Sequence, residues 1–139
     1  MKQKYRFFIF CFLSALNFAS PVSASEALMW SQASEKKLFN VVIGPEKGHV
    51  PISTFHDWFI TIETHDGKPV TNAQIAITGG MPEHMHGMPS QPEVTRNLGN
   101  GRYLIEGMKF NMIGRWVLVF GVNTPTAKDN TTFNIELEY

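Results

Sequence analysis

Between Phe55 and Thr64 the chain alternates strictly, with Trp58, Ile60 and Ile62 on one side and Phe59, Thr61 and Glu63 on the other. A period of two belongs to an extended backbone with one buried face, because successive side chains point to opposite sides. The period recurs in Ala73, Ile75 and Ile77, in Trp116, Leu118, Phe120 and Val122, and in Phe133, Ile135, Leu137 and Tyr139. A β-branched and aromatic run from Leu38 to Ile43 ends at Gly44-Pro45. Asp66-Gly67 before Lys68-Pro69 is reversal chemistry, since glycine tolerates positive φ and aspartate can bond its own backbone. The Asn- and Gly-rich stretch 97–101 makes Val94 to Leu98 and Arg102 to Glu106 the arms of a hairpin. Gly79-Gly80 is expected to end the strand that carries Ile77. With 139 residues in all, the expectation is one all-β domain, a β-sandwich of about seven short strands.

The first residues read differently. Lys2, Lys4 and Arg6 precede an uncharged, largely apolar run from Phe7 to Leu16, and Val22-Ser23-Ala24 supplies small residues for a signal peptidase. Residues 1–24 are therefore expected to be a cleaved signal peptide, cut after Ala24, which places the mature protein in the periplasm or outside the cell. Residues 25–37 are expected to form a flexible lead-in, and residues 38–139 the sandwich domain. No later segment is apolar for long enough to suggest a transmembrane helix.

Removing residues 1–24 leaves nine basic and twelve acidic side chains, a net charge of −3. That balance argues against nucleic acid as a partner, which calls for clustered Lys and Arg in excess. The sole cysteine, Cys11, lies in the apolar run, so the mature form is expected to lack disulfides, thiolate metal sites and cysteine nucleophiles. No Gly-x-Ser-x-Gly elbow, phosphate-cradling glycine loop or His-Glu-x-x-His pair occurs. The chain is not expected to be an enzyme.

Most of the available chemistry lies in the stretch from Gly79 to Pro92. Met81, His84, Met85, His86 and Met88 fall within eight residues. Thioether sulfur is a soft neutral ligand and imidazole a borderline one, a mixture that suits copper, Cu(I) above all, and suits Mg or Ca poorly. If the stretch is extended, His84 and His86 project to one side and Met85 to the other, while a bend at Gly87 could bring Met88 to either group. A packing explanation stands beside this one, because methionine also fills irregular apolar gaps. His56 alternates with Trp58 and Ile60 and is read as a satisfied strand-end histidine. His49 and His65 are read as solvated, while Met108 and Met112 flank Phe110 at period two and are read as core.

These residues resemble the YtkA-like and FixH-like group of small exported or membrane-anchored domains, some of which carry the label auxin-binding protein. The resemblance covers about residues 49–139. It is carried by His56-Asp57-Trp58, by Asp66-Gly67-Lys68-Pro69-Val70, by the run from Gly79 to Pro89, by Gly101-Arg102-Tyr103, and by Met112-Ile113-Gly114-Arg115-Trp116. It implies an immunoglobulin-like sandwich in the cell envelope and a part in copper handling or oxidase assembly. The implied partner is a copper-requiring envelope protein or an oxidase assembly factor. Carried over to this chain, the implied ligands are Met81, His84, His86 and Met88, with Met85 as an additional thioether.

Two classes of function follow. One is copper binding or delivery through the Met and His loop. The other is a metal-independent interaction module that uses the same loop as an apolar docking surface. A carrier with an apolar pocket between the sheets is a third.

Overall fold

A computed structural model describes residues 28–138. The expected signal peptide and Tyr139 lie outside the described residues. The described chain forms nine strands: β1 (Trp30–Ala33), β2 (Phe39–Pro45), β3 (His56–Thr64), β4 (Gln74–Met81), β5 (His86–Gly87), β6 (Glu93–Gly99), β7 (Arg102–Met108), β8 (Gly114–Asn123) and β9 (Lys128–Leu137). They make a five-stranded sheet in the order β1-β2-β3-β7-β6 and a four-stranded sheet in the order β5-β4-β8-β9. Every strand pair is antiparallel. No helix among the described residues is long and apolar enough to cross a membrane.

The alternating residues meet between the sheets. Trp58, Ile60 and Ile62 of β3 are fully buried, as are Trp116, Leu118, Phe120 and Val122 of β8. Val41 and Ile43 from β2 and Phe133, Ile135 and Leu137 from β9 join the same core. Two inner faces interdigitating in this way produce a sandwich. Tyr103 adds a polar tie, because its buried hydroxyl donates to the Val70 carbonyl at 2.7 Å and accepts the Ala73 N–H at 3.1 Å. The connection that leaves one sheet for the other is thereby anchored.

Three sequence expectations change. First, the strand count is nine rather than about seven; the additional strands, β1 and the two-residue β5, are too short to show a period. Second, the lead-in contains β1, which pairs with β2 from Trp30↔Ile43 to Ala33↔Asn40. Trp30 stacks flat on Trp58, with ring centroids 5.3 Å apart, and so covers an indole that would otherwise end the core. Third, Gly79 and Gly80 do not end β4. The strand runs through them to Met81, and both pair with β8. A Cβ on Gly80 would stand 2.5 Å from the His86 carbonyl oxygen, so glycine is the residue that lets β5 fold back against β4 at that point.

Candidate metal centre

The Met and His segment is a tight reversal rather than an extended loop. Met81 ends β4, Pro82–His84 forms one 3-10 turn with proline at its start, and Met85 is left-handed at φ 53. Its N–H bonds back to the Pro82 carbonyl at 3.2 Å. Proline suits the first position of such a turn, where its missing N–H has no partner to lose. The chain then returns antiparallel, pairing Met81 with His86 and Gly80 with Gly87. The Met88 N–H completes the return with a 3.1 Å bond to the Gly79 carbonyl. The bend thus sits before His86, not at Gly87, because the turn closes on residues 82–85.

This geometry sorts the five candidate ligands. His84 and His86 converge, with ring centroids 6.0 Å apart. His84 is exposed and His86 is half-buried. The His86 ring stands edge-on to Trp116 at 5.7 Å, and its Nδ1 lies 2.9 Å from the Gly87 carbonyl oxygen. A carbonyl only accepts, so Nδ1 is the donor in this contact, and in the neutral ring Nε2 is then the nitrogen that offers a lone pair to a ligand. Such a bond fixes both tautomer and ring orientation, as is usual for metal-binding histidines.

The methionines are distributed by depth. Met85 sits at the apex and is 93% exposed, whereas Met81 is only 1% exposed and belongs to the core cluster. Met88 is half-buried against that core. An open depression of about 370 Å³ is lined by Met81, Met85 and His86 together with Val117 and Val119 on the outer face of β8. Met85 is thus the thioether most available to an incoming ion, and Met81 forms part of the floor. Among the described residues no three His, Cys, Asp or Glu side chains gather as a metal site. The soft and borderline donors at the turn are two imidazoles and the Met85 thioether, donor types that fit Cu(I).

Several residues that shape this centre carried no ligand signal of their own. Trp116 supports His86 on one side, stands edge-on to Phe110 at 5.1 Å, and donates its indole N–H to the Met112 carbonyl at 3.1 Å. Glu83, inside the turn, pairs with Arg115 at the start of β8 at 2.8 Å. The period-two reading placed Trp116 in the core but could not show which loop would rest on it.

His56 lies behind the same aromatic layer, 5.7 Å from Phe110 and 6.3 Å from Trp58. Its Nδ1 is 3.0 Å from the Thr54 carbonyl oxygen, and its Nε2 is buried without a partner. Burial lowers its pKa, against the opposing effects of the Thr54 bond and Asp57, while His49 lowers it further. His56 and His49 border a separate concavity of about 410 Å³ with Phe55 and Asp57. Contacts from His56 to Phe110, from Phe110 to Trp116 and from Trp116 to His86 separate the two histidines, and the Met and His turn does not include His56. Met112 packs against the core.

The YtkA-like family model matches residues 35–119, which takes in β2 through most of β8 and the whole reversal. The chain belongs to the YtkA-like family. Comparisons with curated proteins and with solved structures give no match. In this YtkA-like domain the matched span includes all five candidate ligands and both members of the Glu83–Arg115 pair.

Proposed function

We propose that this YtkA-like domain binds copper, as Cu(I), at the reversal between β4 and β5 and hands it on within the cell envelope. The observation that carries this reading is the approach of the His84 and His86 rings to 6.0 Å, with the exposed Met85 lining the same depression as His86. Apolar packing supplies no reason for two imidazoles at an exposed turn. The site is open on one side, as exchange requires, and it rests on a rigid sheet through Trp116. His84 and His86 would hold the ion through ring nitrogens, Met85 would complete the set, and Met88 would support the turn from below. The bound ion would be cargo, with no catalytic step assigned to the chain. Export through the N-terminal residues 1–24 would place this exchange in the periplasm or outside the cell, with a copper-requiring envelope protein or oxidase assembly factor as recipient.

The test is a Cu(I) titration of the purified protein in competition with a coloured chelator, repeated on His84→Ala/His86→Ala. Stoichiometric binding that is lost in the variant supports the reading. Failure of the native protein to compete at all sinks it. A metal-independent docking surface is then the reading that remains, favoured by the depression between Met85 and Val117; it requires partner capture to be unaffected by chelators.

A further inference from the structure

Glu83 adjoins His84 in the turn and reaches across to Arg115 on β8. Both side chains are more than half exposed, at 58% and 51%, yet they meet at 2.8 Å through Oε1 and Nη2. A surface ion pair contributes little to stability, on the order of 0–1 kcal/mol. Its consequence here is chemical. Glu83 immediately precedes His84 and is the one carboxylate within the turn Pro82–His84. A carboxylate beside two imidazoles would complete a three-donor set of the kind that zinc and other divalent ions prefer. No such set forms among the described residues; the Glu83 carboxylate is instead directed to the guanidinium on β8.

We infer that Arg115 is a specificity-determining residue of the centre, acting through Glu83. By holding the carboxylate against β8 it withholds a hard oxygen donor from the histidines, and its own positive charge opposes a divalent cation more than a monovalent one. Both effects favour Cu(I) over Zn²⁺. Discrimination of this kind arises from denying the competitor a ligand as much as from supplying the favoured ion with one. The inference rests on the copper reading of the turn and adds a cause for the choice of ion.

The experiment compares native protein, Arg115→Gln and Arg115→Gln/Glu83→Gln, each titrated separately with Cu(I) and with Zn²⁺ against competing chelators. Release of Glu83 in the single variant should tighten Zn²⁺ by about two- to fivefold, the range that freeing a surface pair of this strength allows, while Cu(I) affinity does not rise; the double variant should lose the zinc gain. A merely structural brace would give a different result, with both ions weakened together in Arg115→Gln. That outcome, or unchanged zinc affinity in a protein that binds Cu(I), overturns the inference and leaves the copper reading standing. Absence of Cu(I) binding in the native protein removes the copper reading, and this inference falls with it.

Discussion

His86 stands edge-on to Trp116, with their ring centroids 5.7 Å apart. Trp116 is fully buried and is fastened by the bond from its indole N–H to the Met112 carbonyl. A candidate ligand at the surface is thus aimed by a residue of the core. This arrangement makes Trp116 a positioning residue as well as a packing one. Trp116→Ala should destabilise the fold by about 3–5 kcal/mol through the cavity it leaves. Trp116→Phe keeps an aromatic ring but leaves the Met112 carbonyl without its donor, for a loss of about 1–3 kcal/mol. Urea unfolding measures both, and a Phe variant as stable as native would show that the indole bond has no net role.

The methionines should separate by depth. Met81→Ala, deep in the core, should cost about 2–5 kcal/mol, whereas Met85→Leu at the exposed apex should stay within about 0.5 kcal/mol of native. Cu(I) competition should reverse the order, with Met85→Leu losing affinity and the volume-conserving Met81→Leu nearly keeping it. Equal copper affinity in Met85→Leu and native protein would remove Met85 from the ligand set.

His84→Ala/His86→Ala should lose only about 1 kcal/mol of stability, mainly the edge contact of His86 with Trp116. Its copper affinity should fall by more than the roughly 10–100-fold that outer-shell changes cost. Chelator competition and urea unfolding on the same preparation distinguish loss of ligands from loss of fold.

His56 should make the protein sensitive to mild acid. Burial holds its pKa below the ordinary histidine value, so between the folded and unfolded pKa values the unfolded chain binds more protons. The sign is set by that difference: stability is fully present above roughly pH 6.5 and is lost as pH falls through the lower folded value. Replacing His56 by Phe should flatten the profile in that window. Urea midpoints across about pH 7.5 to 5 provide the measurement, and an unchanged slope in the variant would assign the effect to another group.

Asp129 should act at lower pH. Although burial pushes its carboxyl upward, hydrogen bonds from Ser34 and from the N–H groups of Asn130, Lys36 and Leu38 hold the net value below the ordinary carboxylate range. The Lys36 and Asn130 bonds are both 2.9 Å, so this carboxylate ties the β1–β2 turn to β9. A depressed folded pKa means that the stabilisation is present above the unfolded value and is lost as pH falls through the folded one. Asp129→Asn should cost about 1–3 kcal/mol at neutral pH and show a weaker acid dependence below about pH 4. Thermal unfolding at neutral and acid pH tests both effects.

The sequence by itself determined the all-β class, the inner faces of the long strands, and the segment in which the candidate soft ligands lie. Each is a local property: alternation within one strand states which side chains share a face, and composition states what a short segment can bind. Tertiary structure decided the rest. Period two could not show that Trp30 would cover Trp58, because a four-residue strand has too few repeats to register. The tendency of glycine to interrupt strands suggested a stop at Gly79-Gly80, whereas the close return of β5 makes the missing Cβ of Gly80 a requirement for continuing. Along the chain, five neighbouring Met and His residues showed no difference in depth. A 3-10 turn closed by a left-handed Met85 brought two imidazoles together, raised one thioether to the surface and left another in the core. Depth and convergence depend on what packs underneath, and here that is Trp116, thirty residues further along the chain than His86.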